Sequence, residues 1–148
     1  MTKRVLVMLL VFLLVGGGTV YMLAETTEAK LKEPVKVHKE QDDFILHVRA
    51  EEREKGFQVL RSLEYRGNSA ITVEHRTPLI SASVDREGHD FTGSPVQKEL
   101  KPGNIYYPQG EKVFESPGKG SYTLYIKCQF FVDGELNEIT AEREIIFE

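Results

Sequence analysis

The chain has no tryptophan, one cysteine and three methionines among its 148 residues. The single Cys128 excludes an internal disulfide. The four histidines, His38, His47, His75 and His89, sit in four separate segments. No Cys-x-x-Cys or His-x-x-x-His pair occurs, so a zinc framework is not expected. There is no Gly-x-Ser-x-Gly elbow to present a nucleophile. The glycines of "GKGSY", Gly118 to Tyr122, lack the Lys-Ser/Thr ending and the following helix of a phosphate cradle. Positive charge is also scarce. There are 19 Lys and Arg against 23 Asp and Glu, a net charge of −4. Lys3 and Arg4 account for two of the basic residues, so the chain beyond residue 24 holds 17 basic and 23 acidic groups, a net −6. Such a body is a poor ligand for nucleic acid, whose affinity comes from clustered Lys and Arg. No cofactor is expected.

One long hydrophobic run is present. Val5 to Ala24 gives 20 residues without a charge, preceded by Lys3 and Arg4 and followed by Glu25 and Glu28. As a helix this run spans about 30 Å, the thickness of a bilayer's hydrocarbon core. The membrane-facing residues include Val5, Leu9, Phe12, Leu14, Val20 and Leu23. The basic flank stays in the cytoplasm and the body is exported. Two readings compete, a cleaved signal peptide and a retained single-pass anchor. The only plausible cleavage site is Met22-Leu23-Ala24, and Met fits its first small position badly. Gly16-Gly17-Gly18 weakens a helix and suits a signal's end. The retained anchor fits better; cleavage after Ala24 would make the body a secreted one. No cysteine lies near this segment for lipid attachment. Residues 25–41, "ETTEAKLKEPVKVHKEQ", are polar and mixed in charge and read as a tether.

From Asp42 to Glu148 the pattern has period two. "FILHVRA" sends Phe44, Leu46, Val48 and Ala50 to one side and Ile45, His47 and Arg49 to the other. "GFQVLRSLEY" aligns Phe57, Val59, Leu63 and Tyr65, with Arg61 interrupting that face as a bulge or a snorkelling side chain. "AITVEH" aligns Ile71, Val73 and His75. In "SYTLYIKCQFFV" the residues Tyr122, Leu124, Ile126, Cys128, Phe130 and Val132 share a face. Asp133-Gly134 then signals a two-residue hairpin. That loop pairs Val132 with Glu135, Cys128 with Ile139, Ile126 with Ala141 and Tyr122 with Ile145, so the apolar faces coincide. Between the strands lie the turns "RGNS", "DREG", "KPGN", "YPQG" and "PGKG", and no amphipathic helical stretch. The expectation is an all-β, two-sheet antiparallel sandwich of seven or eight strands over residues 42–148, with a core of about 15–20 apolar residues.

The run "LKPGNIYY", then "KVFE", then "PGKGSYTLYIKCQF" resembles the later strands of an immunoglobulin-like domain. With "LEYRGNSAITVEHRTPLISASVDREG" before it, the order is similar to the BsuPI family of small bacterial proteinase inhibitors. The resemblance covers 42–148 and implies an immunoglobulin-like β-sandwich and, as an alternative function, proteinase inhibition through an extended loop such as 101–110. The family tends to carry Trp in its middle region, where this chain has none.

Within "TVEHRTPLIS", Thr72 to Ser81, an acid, an imidazole, a guanidinium and a hydroxyl lie within ten residues. Strand alternation sends Glu74 and Arg76 to one side and His75 to the other, and Pro78 ends regular pairing, so no catalytic residues are assigned. "DREGHD", Asp85 to Asp90, offers oxygen ligands without the Asp-x-Asp-x-Asp-Gly order of a calcium loop, and reads as a solvated turn with positive φ at Gly88. Cys128 reads as a small buried apolar residue. Tyr106, Tyr107, Tyr125 and Phe131 cannot all lie in the core if Tyr122 and Phe130 do, and form a candidate protein-binding patch. The sequence therefore points to a non-catalytic, membrane-anchored extracytoplasmic binding module with a protein partner.

Overall fold

Ten antiparallel strands in two sheets make up the computed structural model, which describes residues 28–148 together with Met8. The anchor residues Val5, Leu9, Phe12, Leu14, Val20 and Leu23 lie outside the described residues. Among the described residues no helix is long and apolar enough to cross a membrane.

The first sheet runs β1 (Val35–Gln41), β2 (Phe44–Arg53), β3 (Gly56–Tyr65), with β7 (Ile105–Tyr106) and β8 (Lys112–Phe114) both pairing the far edge of β3. The second runs β10 (Glu135–Phe147), β9 (Gly120–Val132), β4 (Ile71–His75), β6 (Val96–Leu100), and β5 (Ile80–Val84) pairs β9 beside β4. Each strand's dyad pattern determines which side chains meet between the sheets. Phe44, Leu46, Val48 and Ala50 of β2 are buried, as are Phe57, Val59, Leu63 and Tyr65 of β3. From the second sheet Val73, Ile80, Ala82, Leu124, Ile126, Cys128, Phe130, Ile139, Ile145 and Phe147 meet them. Aromatic rings bridge the layers, with Phe44 and Phe130 4.6 Å apart and Phe57 and Phe147 5.2 Å apart between centroids. The β9–β10 hairpin has the expected register, from Val132 opposite Glu135 through Cys128 opposite Ile139 to Tyr122 opposite Ile145. Asp133 and Gly134 take φ of 50° and 77°, the positive pair that a two-residue turn needs between right-twisted strands.

The strand count exceeds the expected seven or eight. Strands β7 and β8 have only two and three residues and lie in a stretch dense in Pro and Gly, too short to display a period. At the other end of β3, the Tyr65 hydroxyl donates to the Ser69 carbonyl at 2.6 Å and closes the turn into β4. Gly67 lies against that ring, with no room for a Cβ.

The tether assigned to 25–41 also needs correction. Residues 35–41 are β1, paired with β2 from Val35 opposite Ala50 to Gln41 opposite Phe44. Residues 30–32 pair instead with the end of β10. Lys30 N donates to Glu148 O, Glu148 N to Lys30 O, and Lys32 N to Ile146 O, each at 2.9 Å. Pro34 stands between these two pairings. Ala29 and Leu31 are buried in the core, while Lys30 and Lys32 form surface pairs with Glu52 and Glu148. The density of charge in 25–41 conceals a half-buried strand whose polar side faces water. Leu31→Ala in the full chain is expected to lower unfolding stability by about 2–5 kcal/mol, the usual range for a buried leucine. Chemical denaturation in mild detergent measures this. A free tether would give a change within about 0.5 kcal/mol.

Candidate functional site

The polar residues of 72–81 face different surroundings. Glu74 accepts from Gln97 Nε2 at 2.7 Å on the outside of the second sheet. Arg76 reaches the Gly93 carbonyl at 3.3 Å. His75 is buried at the end of β4. Its Nδ1 donates to the Arg76 carbonyl at 2.7 Å, and its Nε2 accepts from the Tyr106 hydroxyl at 2.7 Å. The ring therefore holds its proton on Nδ1 and ties β4 to β7 across the sandwich. Ser81 is buried, and its Oγ lies 2.9 Å from His89 Nδ1, a pairing the sequence does not reveal because a turn separates the two.

That turn differs from expectation in one respect: the positive φ belongs to Asp85, at 65°, and not to Gly88. An aspartate tolerates this conformation through its short polar side chain. Gly88 N donates to Ser83 Oγ, and Asp90 accepts from Thr92 N at 3.0 Å. Among the described residues no group of three or more His, Cys, Asp or Glu converges to hold a metal ion. Cys128 is buried between the sheets, and burial raises its thiol pKa far above the usual value, which leaves it without nucleophilic character.

The four aromatic candidates do not form one patch. Tyr106 lies opposite Leu63 on the first sheet, partly buried and held by His75. Burial raises its phenol pKa. Tyr125 and Phe131 lie on the outside of the second sheet, opposite Glu142 and Leu136 and six residues apart on β9. Only Tyr107 projects freely, 70% exposed.

Tyr107 belongs to a different feature. The segment 107–111 leaves β7, rises along the edge of β3 and walls an open groove of about 590 Å³ on the outer face of the first sheet. Lys36 and His38 of β1, His47 and Arg49 of β2, and Leu60 and Ser62 of β3 form its floor; Tyr107, Gln109, Gly110 and Glu111 form its wall. The two imidazoles meet edge to face at 4.9 Å. His47 Nε2 donates to Glu64 at 2.7 Å, and Arg49 pairs with Glu51 at 2.9 Å. Glu64 also receives Arg66 at 2.8 Å; this bond first, then the one from His47, holds its pKa below the usual carboxylate value.

Arg61 fixes the groove's wall. This interruption of the β3 core face neither bulges nor snorkels to water. Its Nη1 donates to the Ile80 carbonyl at 2.7 Å and its Nη2 to the Gly110 carbonyl at 2.9 Å, while its Nε is buried without a partner. Lys112 of β8 donates likewise to the Ala82 carbonyl at 2.7 Å. The carbonyls of Ile80 and Ala82 point away from β9, along the open edge of β5, so two cations from the opposite sheet cap that edge. Burial lowers the pKa of both, and the Arg61 charge lowers Lys112 further. Gln109 completes the wall with both its amide O and N buried and unpaired.

Tyr106→Phe leaves His75 Nε2 buried without a donor and is expected to cost about 1–3 kcal/mol of stability by denaturant unfolding. A loss under about 0.5 kcal/mol would show that the bond contributes nothing. Burial lowers the His89 pKa; Glu87 opposes this, and Lys127 and Lys112 reinforce it. Proton NMR should therefore find its titration midpoint below the usual imidazole value. The unfolded chain then takes up this proton first. The contribution is present above the usual imidazole value and is lost as pH falls from there through the folded midpoint. A midpoint at or above the usual value would contradict burial of this ring.

No protein-family model, curated protein or solved structure matches this chain.

Proposed function

We propose that the protein is a non-catalytic binding module, anchored in the cell membrane by residues 5–24 and presenting its two-sheet body to a protein partner outside the cytoplasm. The observation that carries this reading is the clasp of residues 30–32 onto 146–148. It begins only six residues after the uncharged run ends at Ala24. Six peptide steps reach at most about 20 Å. A retained anchor would thus hold one particular end of the body close to the bilayer. That end contains Ala29, Lys55, Glu115, Ser116 and Lys119. The far end contains the turns at Asp43, Tyr65 and Asp133, which β9, 13 residues and about 40 Å long, carries outward. A body fixed at one end presents its faces and far turns for contact. The dispersal of Glu74, His75, Arg76 and Ser81 supports a binding role over a hydrolytic one.

We read the two-sheet arrangement more finely as immunoglobulin-like. The division of the first segment between both sheets, at Pro34, and the Tyr122 hydroxyl near the start of β9, which donates to the Pro117 carbonyl five residues upstream, support this reading.

Cell fractionation tests the address. The full chain is expected in the membrane fraction after alkaline carbonate washing, and protease added to intact cells is expected to remove the body. Lys3→Glu with Arg4→Glu should reduce the externally digestible fraction severalfold, because it erases the orienting charge. Recovery of the intact body from the cytoplasm would overturn the proposal.

A further inference from the structure

We propose that the groove on the outer face of the first sheet takes an extended, acidic peptide segment of a protein partner, laid between His38, His47 and Arg49 on the strands and Tyr107 and Gln109 on the wall. The inference deepens the binding-module reading and rests on it for the presence of a protein partner.

Charge gives the first argument. The body is acidic overall, yet positive charge without a counter-ion gathers here. Arg61 and Lys112 lie behind the wall, each bonded only to main-chain carbonyls, and neither forms an ion pair among the described residues. Lys36, on the floor, likewise has no ion-pair partner among the described residues. His38, His47 and Arg49 already face Glu40, Glu64 and Glu51, and Glu111 faces Arg53 at 3.7 Å. The surplus is therefore positive. Positive charge that is not matched within the chain is complemented by an anion brought to it.

Hydrogen bonding gives the second argument and selects a peptide. Gln109 keeps both a donor and an acceptor buried without partners, an arrangement that costs free energy until both are met. A simple carboxylate supplies acceptors alone and leaves Gln109 Oε1 unmet. A peptide backbone offers an N–H and a C=O side by side and meets both. Apolar contact gives the third. Leu60 is 37% exposed on the floor and Tyr107 70% exposed on the rim, a suitable seat for an aliphatic or aromatic side chain of the segment. The groove's volume lies within the range of ligand-holding clefts.

The test titrates the full chain in nonionic detergent micelles with a ten-residue peptide of alternating Glu and Leu. The same peptide with Lys for Glu, and inorganic phosphate, serve as comparisons. NMR follows the Gln109 side-chain amide, the rings of His38 and His47, and Tyr107. The acidic peptide is expected to shift these signals saturably, the Lys peptide to leave them unmoved, and phosphate to bind at least tenfold more weakly. Lys36→Glu should weaken the acidic peptide about tenfold. Gln109→Leu should weaken it at least fivefold while leaving the unfolding midpoint unchanged or higher, because an unmet polar group is removed; a merely structural Gln109 would lower the midpoint. Equal shifts from the Lys peptide, binding of phosphate as tight as the peptide, undiminished binding by Gln109→Leu, or shifts confined to other faces would each overturn the proposal. Because micelles report nothing on compartment, loss of binding with membrane retention intact removes the groove alone. Cytoplasmic recovery with binding intact removes the address alone.

Discussion

The pairing of β9 with β10 underlies the rest of the structure. Thirteen residues of each strand lie opposite one another without a break, from the Asp133-Gly134 turn to Gly120 opposite Phe147. Strand β9 also provides the other edge on which β4 and β5 pair, so every strand of the second sheet except β6 touches it directly. A slip of one residue at the turn would send Leu124, Ile126, Cys128 and Phe130 into water and Tyr125, Lys127 and Gln129 into the core. The positive φ available at Asp133 and Gly134 therefore sets the register for half of the sandwich.

The remainder of the second sheet is held by side chains from the first. Strand β5 has one edge on β9 and the other open. Arg61 and Lys112 close that open edge with side-chain donors where a neighbouring strand would supply main-chain ones. The arrangement buries the Arg61 guanidinium close to a second, more exposed cation, which is costly, and it also keeps a hydrophobic strand from offering a free edge to another chain. His75 and Tyr106 make a comparable tie at the β4 end. Polar groups at both places join the layers and also limit where the wall segment 107–111 can run.

The parts of the fold legible in the sequence are those where one face is apolar over a long strand. The β2 and β3 faces, the β9–β10 register and the burial of Cys128 all follow from period two and one turn. Arg61 is legible as an exception, but not as a bond to Ile80 and Gly110, because those partners lie 19 and 49 residues away and on different elements. The same distance in sequence conceals the groove. Its floor comes from three strands whose outward residues read as ordinary solvated positions, and its wall comes from a Pro- and Gly-dense loop. Tyr107 carried the single usable signal, a large aromatic with no place in the core pattern. Its three companions have other surroundings, which a list of aromatics does not separate. Residues 28–41 were hidden differently: their charge suggests solvent, yet alternate positions at Leu31, Val35 and Val37 supply enough apolar surface to join the sandwich.

The antiparallel contact between residues 30–32 and 146–148 has a mechanical consequence. Its three hydrogen bonds lie across the strand direction, and the chain enters the body along that direction. Tension drawn between residue 28 and the turns at the opposite end would load all three in shear at once, with Leu31 sliding against Phe147, instead of peeling them singly. A body held at residue 28 would therefore resist a pull on its opposite turns.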